Sequence, residues 1–101
     1  MTLNKFKQIC EYCGLHVIET DSDYIRAFYK NEIVTVYYKR RIYCYNRPIA
    51  FRYNKTMMID NGECTEVYST SELEENIVKA VCSLKKLLIR IKKCEIENEF
   101  N

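Results

Sequence analysis

Ile33–Ile59 reads IVTVYYKRRIYCYNRPIAFRYNKTMMI, and this stretch decides the fold. Its side chains alternate with a period of two and are rich in β-branched and aromatic types, the pattern of a half-buried antiparallel sheet. It holds six basic residues (Lys39, Arg40, Arg41, Arg47, Arg52, Lys55) and five tyrosines, and it has no Asp or Glu. All fourteen acidic residues lie elsewhere, so a formal charge of +2 hides a polarised chain. Such asymmetry points to a contact surface for an anionic partner.

Working outward, Tyr24–Lys30 alternates in the same way. A two-residue loop at Asn31-Glu32 would set Ile25, Ala27 and Tyr29 beside Tyr38, Val36 and Val34 on one apolar face. His16–Glu19 makes a short strand before the turn-forming Asp21-Ser22-Asp23. Arg41–Asn46 and Ile49–Tyr53 are expected to pair around Arg47-Pro48, with Ile42, Cys44, Ile49, Phe51 and Tyr53 facing the core. Asn61-Gly62 is the strongest hairpin signal, between Thr56–Asp60 and Glu63–Tyr68.

Helices flank this region. Leu3, Phe6, Cys10 and Cys13 recur at helical spacing, with Thr2 as N-cap and Gly14 in the C-cap position. From Ser71 to about Cys94, Leu73, Ile77, Val81, Leu84, Leu88 and Ile91 form one stripe, with Ser71 and Glu74 as capping box. A second line, Val78, Cys82, Ile89 and Ile96, either lies under the first helix or forms a homodimer seam. The expected architecture is α+β and a single domain over residues 1–101. It has a short N-terminal helix, an antiparallel β meander of five to seven strands, and a long C-terminal helix packed on one sheet face. The acidic tail 95–101 is expected to fray.

The opposite sheet face is expected to carry Tyr24, Arg26, Phe28, Ile33, Thr35, Tyr37, Arg41, Tyr43, Tyr45 and Arg52, with Tyr43 opposite Arg52. The candidate binding residues are Tyr37, Lys39, Arg40, Arg41, Tyr43, Tyr45, Arg47 and Arg52. Tyrosines interleaved with arginines suit stacked bases and phosphates, and they suit protein hot spots equally. A first helix lying over this face would give it a purely structural role.

Catalysis has little to draw on. His16 is the only histidine, and no Ser/His/Asp set, Gly-rich phosphate loop or metal-ligand run occurs. Cys10-x-x-Cys13 ends a helix, where the dipole opposes thiolate formation, so core packing is its expected role. No apolar run approaches the roughly 20 residues of a membrane span, and the first residues lack a signal peptide's apolar core. Reduced thiols, a cytoplasmic location, no metal, no cofactor and no enzymatic activity are therefore expected.

The chain is heavy in Lys, Asn, Ile, Glu and Tyr, with two Gly, one Pro and no Trp, as from an AT-rich genome. In length, single-domain build, missing catalytic motif and polarised surface it resembles small phage-encoded inhibitors of host defence, the anti-CRISPR-like proteins. The resemblance is one of kind and carries over no residue. It implies a host protein or protein–RNA complex as partner in the host cytoplasm. The alternatives are a nucleic-acid-binding phage regulator, or a nucleotide sponge with its pocket at a dimer seam. A homodimer through the C-terminal helix fits any of them.

Overall fold

The computed structural model describes residues 1–21 and 23–99, with side chains through residue 96. It is an α+β fold in which both helices pack on one face of a five-stranded antiparallel sheet. Helix α1 spans Leu3–Tyr12. The Thr2 hydroxyl accepts from the Lys5 amide at 3.2 Å. Gly14, at φ +83°, donates to Glu11 O while Leu15 N donates to Cys10 O. This pair of bonds is the Schellman ending, which requires a left-handed residue at Gly14.

Strands β1 (His16–Asp21), β2 (Tyr24–Tyr29), β3 (Glu32–Tyr38) and β4 (Arg41–Cys44) form a meander. The β2–β3 turn lies at Lys30-Asn31, one residue before the expected Asn31-Glu32, with φ of +45° and +70°. Positive φ at both central residues gives the twist that two-residue hairpins need. A bulge follows, because Phe28 pairs with Ile33 while Ala27 pairs with Thr35. Val34 and Thr35 are therefore both fully buried. Two expectations change as a result. Ile25 pairs with Tyr37 rather than Tyr38, and Tyr37 and Thr35 belong to the core face. Tyr37 packs against Phe6 of α1 with the rings tilted by 43° and 5.6 Å between centroids. Thr35 is satisfied locally: its Oγ1 donates to Tyr43 O at 2.8 Å and accepts from the Cys44 thiol.

The later strands pair differently from the expectation. β5 (Ile49–Tyr53) and β6 (Thr56–Asp60) form a separate two-stranded ribbon around Asn54-Lys55, again with positive φ at both turn residues. The free edge of β4 is taken by β7 (Thr65–Val67). Pro48 explains the break between β4 and β5. Its φ is held near −65°, so Arg47-Pro48 cannot make the turn that a tight hairpin requires. Asn61-Gly62 joins the ribbon to β7 instead. Gly62 N donates to Asp60 Oδ1, and Asn61 Nδ2 donates to Glu32 Oε2 at 3.1 Å. Ala50, Met57 and Ile59 form the half-buried side of the ribbon, and Met57 and Ile59 line a groove with Leu88 and Ile91 of the long helix. Ile49, Phe51 and Tyr53, expected in the core, face out at 58, 39 and 62% exposure.

Helix α2 spans Thr70–Glu99, about 45 Å at 1.5 Å per residue. Its N-cap is Ser69, not Ser71. The Ser69 hydroxyl accepts from Glu72 N at 3.2 Å, and the Glu72 carboxylate accepts from Tyr68 N at 3.1 Å. The sequence offers two overlapping S-x-x-E motifs, and the earlier one places Leu73 fully inside. Leu73, Ile77, Ala80 and Leu84 then fall on one face, in contact with the core from Phe6 through Ile42. The helix includes residues 95–99 of the acidic tail, and residues 100 and 101 lie outside the described set.

Candidate functional site

Register fixes the sheet's second face. Cross-strand partners share a side, so Tyr24, Arg26 and Phe28 of β2 lie with Tyr38, Val36 and Ile33 of β3. β4 adds Arg41 and Tyr43, β7 adds Glu66, and β1 adds His16 and Ile18. Since α1 and α2 pack on the other face, neither helix covers this one. Tyr38 is 43% exposed and Ile18 37%. Val36, at the centre, is buried yet stands outside the main core cluster, shielded by its neighbours on the open face.

Arg26 is the focus of the face. Its guanidinium carbon lies 5.7 Å from the Tyr24 ring centroid and 5.5 Å from that of Phe28. An arginine held between two rings is fixed in place and partly stripped of water, which strengthens its attraction to a carboxylate or phosphate. Its Nε is buried and has no hydrogen-bond partner among the described residues. Around it, Tyr24 meets Tyr38 edge-on at 5.5 Å, and Lys39 Nζ stands 5.2 Å from the Tyr38 ring centroid. Arg41 Nε reaches the Glu66 carboxylate at 3.9 Å, and Tyr68 donates its hydroxyl to Glu66 at 3.2 Å. That hydrogen bond to Glu66 pushes the exposed Tyr68 phenol up, so it stays a donor.

The turn Lys39-Arg40 sits at the end of this face, with φ of +49° and +66°. A cleft of about 120 Å³ lies beside it, lined by Arg40, Arg41, Glu66 and Tyr68 among others. It falls below the roughly 300 Å³ of an ordinary small-molecule pocket, so contact with a large surface suits it better.

Of the eight expected residues, the structure brings Arg41 and Tyr43 together on this face, with Lys39 and Arg40 at its rim. Tyr45 lies past the end of β4, half-buried, and burial followed by the neighbouring Cys64 raises its phenol. Tyr37 is in the core. Arg47 is exposed in the connector to β5, and Arg52 sits on the ribbon opposite Met57 rather than opposite Tyr43. Arg26 carries the face although it falls outside the basic stretch. Its signal in the sequence was the alternation Tyr24, Arg26, Phe28, not the charge run.

The cysteines are free thiols. Cys10 is fully buried, and burial pushes its thiol up to about 12; Cys13 is raised by burial as well. These thiols are the opposite of activated nucleophiles. Among the described residues, no three His, Cys, Asp or Glu side chains gather into a possible metal site, and no helix is long and apolar enough to cross a membrane. Along α2, Val78, Cys82, Ile89 and Ile96 are exposed, so α1 does not cover this line.

Comparison with known proteins finds no matching family model, curated protein or solved structure.

Proposed function

We propose that this protein is a non-catalytic binding module that occludes a partner's surface with its open sheet face, in the manner of the small phage-encoded inhibitors it resembles. The observation that carries the reading is Arg26, held between Tyr24 and Phe28 with an unpartnered buried Nε and surrounded by Ile18, Ile33, Tyr38 and Tyr43. Aliphatic side chains interleaved with rings and one oriented guanidinium match the anchor chemistry of protein interfaces. A carboxylate of the partner, presented to Arg26, would complete its hydrogen bonding. The partner class is therefore an acidic protein surface or the protein component of a ribonucleoprotein.

A direct nucleic-acid reading is favoured by one feature, the Lys39-Arg40 turn beside the exposed ring of Tyr38. Salt separates the two. Phosphate binding weakens steeply with ionic strength, with a slope set by the phosphates neutralised, whereas contact through desolvated tyrosine and arginine anchors weakens little. The test compares wild type with Tyr38→Ala/Arg41→Glu, first on short single- and double-stranded RNA and DNA at two salt concentrations, then by affinity capture from host extract. Capture of one protein that persists at moderate salt and is lost in the double variant supports the proposal. Salt-steep binding to the oligonucleotides moves the assignment to the alternative. Capture unchanged by the double variant overturns the assignment of the face.

A further inference from the structure

Helix α2 carries two apolar lines. The first, through Leu73, Ile77 and Leu84, is spent on the core. The second consists of Val78, Ile89 and Ile96, at 56, 60 and 45% exposure, with exposed Cys82 among them. At 100° per residue it runs roughly 120–160° around the helix from the first, so most of it points away from the sheet, with Lys85, Ile89 and Lys92 bordering Tyr29 and Lys30 at the β2–β3 turn. Positions 78, 82, 85, 89, 92 and 96 alternate by four and three, which is the seam repeat of a two-helix coil. Lys85 and Lys92 hold two of the six positions, and their stems cover apolar surface while their ammonium groups reach the rim.

Charge decides what such a seam takes. Glu74 and Glu75 lie on opposite sides of the line near the N-terminus of α2. Near the C-terminus Lys92, the seam position on the Glu74 side, and Lys93, on the Glu75 side, repeat that placement with the opposite charge. A second copy laid antiparallel, with the two-fold axis between Ser83 and Leu84, sets Val78 against the partner's Ile89. The same axis brings Glu74 to the partner's Lys92 and Glu75 to the partner's Lys93, each on the matching side. A parallel copy would bring Glu to Glu and Lys to Lys. One further pair of features agrees. Tyr12, 89% exposed, shares a groove with Glu74, and Lys92 shares another with Lys85 and Ile89. The rotation that pairs Glu74 with the partner's Lys92 faces these two grooves toward each other.

We propose that the protein self-associates as an antiparallel dimer through this second line of α2. The interface is isologous, as a two-fold requires, and Lys85 opposite the partner's Cys82 fixes its register at a cost in affinity. Because α2 lies behind the sheet, the dimer displays its two open sheet faces outward. It is therefore bivalent toward any partner of that face, a gain in avidity that needs no new contact.

Sedimentation of the full chain across low to high micromolar concentration tests this. The expected result is a mass rising from 12.1 kDa toward twice that value. Val78→Glu/Ile89→Glu should remain monomeric. Glu74→Lys/Glu75→Lys should weaken association about tenfold through loss of four rim pairs, and adding Lys92→Glu/Lys93→Glu to that variant should restore it. All these positions are exposed, and far-UV circular dichroism should show each variant with its helix intact. A monomer throughout the range would overturn the proposal. So would a dimer that survives Val78→Glu/Ile89→Glu, or a fourfold swap that associates no better than the twofold one. None of these outcomes bears on the open sheet face, whose residues are untouched.

Discussion

Arg26→Met separates what the open face does for the fold from what it does for a partner. Methionine keeps an unbranched stem of similar reach between Tyr24 and Phe28 and removes the guanidinium. Two cation–π contacts at 5.7 and 5.5 Å disappear, each contributing about 0.5–1 kcal/mol at a partly exposed site. Against this, the buried Nε has no hydrogen-bond partner among the described residues, and leaving a donor in that state costs about 1–3 kcal/mol. The two effects nearly cancel, so the expected change runs from about 1 kcal/mol lost to about 2 kcal/mol gained. Its neighbour Ile25 points the other way into the core with no exposure, and Ile25→Ala should cost about 2–5 kcal/mol. The measurement is urea unfolding followed by far-UV circular dichroism, with the m-value checked for constancy, together with partner binding by each variant. Arg26→Met is expected to lose no more than about 1 kcal/mol of stability and to lose binding. A destabilisation beyond about 2 kcal/mol would show that Arg26 is structural. Retained stability with retained binding would show that the face is not the site.

The remaining expectations concern the turn, the core and the thiols. Arg40→Gly should raise stability by about 0.5–1 kcal/mol in the same assay, because Arg40 holds φ +66° where a side chain costs about 1–2 kcal/mol and glycine gives back part of that in chain entropy. Leu84→Ala should cost about 2–5 kcal/mol, since Leu84 is 1% exposed under the sheet, whereas exposed Ile89→Ala should change monomer stability by under about 0.5 kcal/mol. Maleimide labelling of the native protein should reach the exposed Cys64 and Cys82 quickly and spare buried Cys10 and Cys44 until urea opens the core. The same burial has a pH signature. Cys10 is raised to about 12 and Cys44 to about 11 from an ordinary value of 9.0, so the unfolded chain gives up these protons first. Their contribution is fully present below pH 9 and is lost as pH rises through 11 and 12, at about 1.4 kcal/mol per pH unit for each thiol. The alkaline fall in urea midpoint should be shallower in Cys10→Ala/Cys44→Ala, and an unchanged slope would sink this account.

The fold class was legible because period and spacing are local properties. Leu73, Ile77, Val81 and Leu84 lie four, four and three apart, and Thr2 and Gly14 carry their capping chemistry in their own side chains or lack of one. Pairing was less legible because it depends on competition. Asn61-Gly62 has the strongest hairpin preference in the chain, yet β4 already offers an open edge to β7, and Asn54-Lys55 turns the ribbon instead. Asn54 tolerates a left-handed backbone for the same reason that Asn-Gly does, so the signal was present but outranked. The bulge between Ala27 and Phe28 left no such trace. One extra residue there reverses the parity of β3 beyond Val34, and that alone carried Tyr37 from the expected binding face into contact with Phe6.

Parity also decides how the charge of the basic stretch is used. Its six cations all fall between Lys39 and Lys55, but the fold distributes them. Arg41 lies on the open face, Lys39 and Arg40 at its rim, Arg47 in the connector, and Arg52 and Lys55 on a ribbon that packs against α2. The face that results draws Arg26 from outside the stretch, so at most four cations converge on it. If they met phosphates, the logarithmic salt slope for a single strand would be bounded near 2.8, about 0.7 per contact. The aromatic and aliphatic side chains between them would have to supply the remaining affinity. On the proposed reading, those side chains and the guanidinium held between two rings would act as fixed anchors for one complementary surface, while the polarised charge would steer the approach and contribute less once contact is made.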